Sequence, residues 1–404
     1  METKANEIYF KFITGGAGTG KSFTLKEMTK VDTTKSIIVA PTGIAAINAG
    51  GSTIHSAFRI DPGSGYVDPK IKRSALRGLH RIYIDEVSMV SADLLKSIHT
   101  AAEMLGVREI IAFGDLAQLK PVTGGFFFDY RKPDETVRLE KNYRQGSDLE
   151  FAEILNRIRT GRHTMSDIAY INKNMGSSNQ GMTLAYSNQT VNAINKQELD
   201  KLDGEIVENN AAIEGNMKPS DVPAPECLQV KEGCKIVMLN NDQSKRWQNG
   251  TRGEIVRIFH GNDDVPSYIE VKIGEEIHKV DEFTWSKRVP AEISPDRHYE
   301  LQDMLDDWDT DEVEYAKHTL ANGFEMKVTG SFTQFPMKLG YASTVHKSQG
   351  LTLNECVVHP DGFGTSHGLG YVALSRLTNV KGLTTLRRLR KDDFLCSVKV
   401  LPHL

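Results

Sequence analysis

The chain has 404 residues, 39% hydrophobic and 25% charged, with a net charge of −4, which excludes a disordered protein and predicts two to four folded units at roughly 150 residues each. No run of about 18 apolar residues is present to span a bilayer, and the N-terminal METKANEIYF lacks a secretory pattern, so the expectation is a soluble cytoplasmic protein without membrane contact. Cys227, Cys234, Cys356 and Cys396 form no CxxC pair and read as buried thiols rather than as a zinc site or disulfide framework.

In chain order, the β-prone run IYFKFI at 8–13 leads into GGAGTGKS at 15–22 and then a helix opening on FTLKEM. That strand, loop and helix order fits G-x-x-x-x-G-K-[ST] in its mechanistic context. Gly15, Gly16, Ala17, Gly18, Thr19 and Gly20 would curl backbone N–H groups around phosphate oxygens at a helix N-terminus. Lys21 would bridge the β- and γ-phosphates, and Ser22 would ligate Mg²⁺. The buried-strand run RIYIDEVS at 81–88 ends in two acids that project to opposite sides. Asp85 is expected in the Mg²⁺ shell, and Glu86 is expected to orient and deprotonate the attacking water. A further apolar strand opens EIIAFGDLAQLKPV at 109–122, where Gln118 is expected to sense the γ-phosphate. Strands alternating with helical stretches predict a parallel sheet with the active residues at its carboxyl edge.

Between these motifs, RIDPGSGYVDPKIKRSALRG at 59–78 carries the prolines and glycines of a protruding hairpin or loop. Farther on, 251–285 alternates apolar and polar residues between Gly/Asn/Asp turns, the signature of a small β-barrel. From Asp296 to Glu314 nine carboxylates face only Arg297, a local charge of −8 that leaves +4 for the remainder and permits an electrostatic groove for phosphates. With Tyr299, Leu301, Met304, Leu305 and Trp308 at mixed helical spacing, this acidic stretch has three open readings: a solvated helix, a strut against the first half, or a docking surface for a basic partner. Near the C-terminus, YASTVHKSQG at 341–350 gathers a hydroxyl, an imidazole, an ammonium and an amide.

The segment PTGIAAINAGGSTIHSAF at 41–58, with YIDEVSM, GDLAQLKPV, NYRQ and ASTVHKSQG, resembles the superfamily 1 DNA helicases that move 5′ to 3′, closest in wording to the Pif-type branch, with RecD and Dda as near relatives. The resemblance implies an α/β protein of two RecA-like parallel-sheet lobes, a small wedge inserted in the first and an SH3-like β-barrel in the second. It divides the chain into 1–58 with 79–147 for the first lobe, 59–78 for the wedge, 148–249 with 333–404 for the second lobe, and 250–332 for the barrel with its acidic helical insertion. ATP and Mg²⁺ are the implied cofactors. Arg144 and Arg376 match arginine-finger positions, Tyr143 an aromatic that stacks on adenine, and Gly350 a nucleotide-site position. Pro41, Thr42, Thr53, His55, Ser56 and Phe58 would line the single-strand groove on one lobe, Phe58 as a stacking surface. Thr344, His346 and Lys347 would line it on the other, and Tyr66 would tip the wedge. The family's upstream glutamine segment has no counterpart in the fourteen residues before Gly15, so reading of the base falls to Asn6 or Tyr143, or other nucleoside triphosphates are accepted.

The implied partners are single-stranded DNA and single-strand/double-strand junctions, for a protein expected to act as a monomer. The alternative to a helicase is an NTP-switched binding protein for single strands that does not unwind duplex. Only 59–78 separates the two readings in sequence.

Overall fold

The structure, a computed structural model, describes residues 7–121, 123–178, 181–261, 267–306 and 310–404. Asn6 and Trp308 lie outside the described residues. The first sheet is built by β1 (Tyr9–Gly15), β2 (Ser36–Ala40), β3 (Ser52–Thr53), β4 (Arg81–Ile84), β5 (Glu109–Gly114) and β6 (Glu135–Leu139), in the spatial order β3-β2-β4-β5-β1-β6. Every pairing in it is parallel. The central strands are continuous apolar runs, as burial on both faces demands. Phe10, Phe12, Val39, Ile82, Ile84, Ile110 and Ala112 lie within one buried cluster.

The helices of this lobe are α1 (Lys21–Val31), α2 (Gly43–Ala49), α3 (Ile54–Phe58) and α4 (Ala92–Leu105). Their ends follow local chemistry. The Thr42, Thr53 and Ser91 hydroxyls accept N-terminal amides of α2, α3 and α4, while Gly50 and Gly106 end α2 and α4 in the left-handed conformation.

The second lobe centres on a four-stranded parallel sheet of Ala342–Thr344, β7 (Met182–Ala185), Cys356–Val358 and Leu383–Thr385. Around it pack α5 (Leu149–Arg159), α6 (Met165–Asn174) and α7 (Asn188–Asp200). The lobes interpenetrate. The loop after β5 sends Ala117 and Leu119 into the second lobe's core, and the C-terminal segment returns Val400 to the first lobe's core. There the His403 ring stacks 4.1 Å from Phe128.

Two boundaries differ from expectation. Residues 59–78 are anchored in the first lobe rather than set apart from it, because Ile60, Val67, Ile71 and Leu76 are buried in its core. What projects is the turn over the Ile60/Val67 bridge, with Tyr66 61% exposed. Of the alternating segment at 251–285, the strands from Arg252 to Val280 form part of a five-stranded antiparallel sheet whose outer side is completed by Lys235–Met238 and Met337–Leu339, both outside 250–332. Among the described strands its edges, Glu276–Val280 and Met337–Leu339, do not pair with each other.

A separate antiparallel ribbon, Phe283–Ala291 with Glu325–Gln334, carries the acidic helices Pro295–Asp303 and Thr310–Asn322 at its far end. These helices settle against the first lobe. The Asn322 Oδ1 accepts the Ser36 N–H at 2.6 Å, Phe324 enters the first core, and Lys30 pairs with Glu314 at 3.3 Å. Of the three readings of the acidic stretch, the strut is the one the fold adopts.

Candidate nucleotide and DNA site

The phosphate loop leaves the buried end of β1 and enters α1 through Gly18 (φ 81°) and Gly20 (φ 84°), left-handed positions that a side chain strains. At Gly18 the requirement is also spatial, since a Cβ would lie 2.5 Å from the Cβ of Arg144. That close approach lets Asn142, Tyr143 and Arg144 lie along the loop, where the Tyr143 N–H donates to the Gly18 carbonyl at 2.9 Å. Lys21 Nζ donates to the carbonyls of Gly15 at 2.8 Å and Gly16 at 3.0 Å. Burial lowers the Lys21 ammonium from its ordinary value, opposed by the carboxylates of Asp115, Glu86 and Asp85.

Asp85 and Glu86 follow β4 directly. Burial first, and the Glu86 charge second, push Asp85 up to about 7. Glu86 occupies a left-handed backbone position (φ 51°), a conformation that costs a non-glycine residue of order 1–3 kcal/mol and persists where the surroundings over-determine it. Its Oε2 is buried without a hydrogen-bond partner. Two crowded carboxylates, one with an unpartnered buried oxygen, form an oxygen donor set that suits Mg²⁺. Ser22 is exposed at the start of α1.

From the second lobe, the helix Leu369–Leu374 delivers Arg376 just beyond its end. Arg376 is 2% exposed and donates to the Val372 carbonyl and the Ser375 hydroxyl. Burial pulls its guanidinium down to about 9, and Arg144 adds to that effect against Tyr371, Glu86 and Asp115. Arg144 donates to the Thr352 hydroxyl at 3.1 Å and the Ser375 carbonyl at 2.9 Å. The arginines meet at the same seam. Tyr143 is 65% exposed, its ring 3.8 Å from where a Gly20 Cβ would sit and with Lys141 Nζ 4.9 Å above it. Gln118 is buried and its Oε1 accepts Gln349 Nε2 at 3.4 Å, joining GDLAQL to HKSQG. Gly350 follows at φ 82° with open space around it.

Sequence reasoning missed a buried polar group in the middle of this seam. The Tyr371 hydroxyl accepts the Ala17 N–H at 3.0 Å and donates to Asp115 Oδ2 at 3.1 Å. Arg159 Nε donates to Asp115 Oδ1 at 2.9 Å. Asp115 stands inside the motif GDLAQLKPV and Tyr371 five residues before Arg376, in YVALSR at 371–376, and those positions were the available signal. Arg159 had none.

Along the expected DNA track, Pro41, Thr42, Thr53, His55 and Ser56 are half-buried. The Thr53 hydroxyl donates to that of Ser56 at 2.8 Å. His55 is lowered by burial, with Asp61 opposing. Phe58 corrects an expectation: it is fully buried in the first lobe's core and offers no face to a base, because it is the last residue of the short α3, whose apolar side must be covered. Thr344 is also buried, its hydroxyl accepting the Lys347 N–H at 3.3 Å, whereas His346 and Lys347 are exposed.

Comparison with known proteins agrees with this architecture. Residues 2–176 match the AAA domain family. The ATP-dependent DNA helicase Pif1 of Bdellovibrio bacteriovorus is 29% identical, over 92% of this chain and 83% of that protein. Human ATP-dependent DNA helicase PIF1 is 28% identical over 93% of this chain, which spans 58% of that protein's length. Among solved structures, Pif1 from a Bacteroides species in complex with ADP-AlF4 superposes with a TM-score of 0.78 at 28% identity, over 98% of this chain and 92% of that one. The same Bacteroides Pif1 bound to single-stranded DNA superposes at 0.61 with the same identity and coverage. In sequence and in fold, over nearly its whole length, this chain is similar to the Pif1 helicases.

Proposed function

We propose that this protein is an ATP-dependent DNA helicase that translocates 5′ to 3′ along single-stranded DNA and opens duplex at single-strand/double-strand junctions. The observation that carries the reading is the seam beside the phosphate loop, where Arg144 of the first lobe donates to the Thr352 hydroxyl and the Ser375 carbonyl of the second, next to Arg376. Hydrolysis in such a cleft depends on the distance between two bodies, which is what a motor requires.

In this reading the amides of Gly18 to Ser22 and the Lys21 ammonium hold the triphosphate. Ser22 and Asp85 would hold Mg²⁺, which when bound neutralises charge on the β- and γ-phosphates. Glu86 takes the proton of the attacking water, and Arg376 and Arg144 stabilise the charge developing on the transferred phosphoryl, a contribution of roughly 10³ to 10⁵ in related phosphohydrolases. Tyr143 supports a stacked base, which tolerates different purines better than an edge-reading glutamine does. The half-buried hydroxyls of Thr42, Thr53 and Ser56 and the exposed His346 and Lys347 suit phosphate contacts that fix register without reading sequence. Binding is therefore salt-sensitive and sequence-tolerant.

The test is strand separation on duplexes carrying a 5′ or a 3′ single-stranded tail, with Lys21→Ala as the inactive control. Unwinding of the 5′-tailed substrate alone supports the proposal. DNA-stimulated hydrolysis without separation of either duplex replaces it with an NTP-switched binding protein.

A further inference from the structure

We propose that Tyr371 is a positioning residue for hydrolysis, its hydroxyl holding the phosphate loop from the second lobe through the Ala17 N–H. This inference rests on the reading of the cleft as an ATPase site between lobes.

Three features support it. The hydroxyl has its hydrogen bonds ordered in one direction, accepting from Ala17 at 3.0 Å and donating to Asp115 at 3.1 Å. Asp115 is in turn fixed by Arg159 Nε at 2.9 Å and by Ala117, two residues on, whose N–H reaches the same Oδ1 at 3.1 Å. The whole group is buried, with Tyr371 4%, Asp115 0% and Arg159 8% exposed, so its bonds are little weakened by competing water.

The loop is shaped for the contact. A Cβ on Gly16 would lie 3.3 Å from the Tyr371 hydroxyl and 3.7 Å from Arg159 Cδ, so glycine at this position admits the second lobe to the loop. The helix bearing Tyr371 is seated just as closely. At Gly368 (φ 75°) a Cβ would fall 2.4 Å from the Ala117 carbonyl and 2.5 Å from that of Gln118. Three residues later the phenol reaches the loop. A shift of the second lobe relative to β5 therefore moves the partner of a loop amide directly, and the cradle takes the shape that favours the transition state only when the lobes are in register.

Tyr371→Phe removes the hydroxyl and keeps the ring that packs in the second lobe's core. The experiment measures kcat and KM for ATP hydrolysis by the full chain at saturating oligo(dT), with ATP affinity and thermal unfolding measured alongside. Expected is a fall in kcat of roughly tenfold with KM and ATP affinity close to those of the parent, alongside a lowered unfolding temperature from the buried Ala17 N–H left without its acceptor. Arg159→Lys, which keeps the charge and loses the Nε bond to Asp115 and the contact with the Thr14 hydroxyl, is expected to lower kcat in the same direction. An unchanged kcat in Tyr371→Phe overturns the inference, as does a defect confined to KM. If the parent chain itself shows no DNA-stimulated hydrolysis, the ATPase reading fails first, and the two failures are told apart by that control.

Discussion

Glu86 combines a left-handed backbone, a buried unpartnered carboxylate oxygen and a neighbouring acid whose titration it perturbs. Each feature alone is common in proteins, but their coincidence at the tip of β4 marks a group held for chemistry rather than for packing. Glu86→Gln preserves shape and removes the proton acceptor, so we expect nucleotide and DNA binding to persist while turnover falls by at least about 10². The substitution also removes the second-largest influence raising Asp85 from its ordinary value to about 7. With that negative charge gone, Asp85 ionises at lower pH. Mg²⁺-dependent nucleotide binding, expected to weaken in the parent as pH falls through about 7, is expected to persist to lower pH in Glu86→Gln. Retained turnover removes Glu86 from the role of base, and an identical pH profile removes its influence on Asp85.

Residues of this kind were legible in sequence where spacing is local, as in the phosphate loop and the adjacent acids. Asp115, Arg159 and Tyr371 were not, because their partners lie 44 and 256 positions apart and their types recur throughout any chain. Phe58 was misread for a related reason, since an aromatic beside hydroxyls has the same local pattern whether it stacks on a base or closes a core.

Among the elements, the acidic helices show how a charge run conceals a packing role. The segment carries −8 locally, yet what attaches it to the first lobe is a neutral amide and an aromatic ring, Asn322 on the Ser36 N–H and Phe324 in the core with Lys35 Nζ 5.6 Å above its ring. The exposed pair Lys30 and Glu314 contributes little by comparison, as surface ion pairs generally do. We expect Asn322→Ala to leave a buried N–H at the start of β2 without an acceptor and to lower stability by about 1–3 kcal/mol, read as a shift in the denaturant midpoint. Glu314→Ala is expected within about 0.5 kcal/mol of the parent. Equal effects of the two would mean that charge, not the buried amide, docks the helices. The alternation at 251–285 revealed strands correctly as strands, but the partners Lys235–Met238 and Met337–Leu339 are short and distant in sequence, so the limits of the sheet depended on tertiary pairing that no local pattern encodes.

For the whole molecule, two superpositions differ in a way that sequence divergence does not explain. Identity and coverage are the same for the two Bacteroides structures, yet the TM-score is 0.78 with ADP-AlF4 and 0.61 with single-stranded DNA. Motion along a single strand opens a duplex only if something stops the strands from following together. Tyr66 is the candidate obstacle, 61% exposed beside a turn that the core anchors from beneath and that Ser97 Oγ ties to α4 through the Gly65 carbonyl at 2.7 Å. A rigid aromatic at a fork needs to oppose stacking of about 1.4 kcal/mol per step, which corresponds to roughly a tenfold bias against rewinding. Tyr66→Ala is therefore expected to reduce strand separation on a forked duplex by about that factor, while hydrolysis stimulated by single-stranded DNA stays at the parental rate. The comparison separates the wedge from the motor within one protein. Unwinding that survives the substitution in full would assign the splitting of strands to another surface, and a parallel loss of hydrolysis would place Tyr66 on the track rather than at the fork.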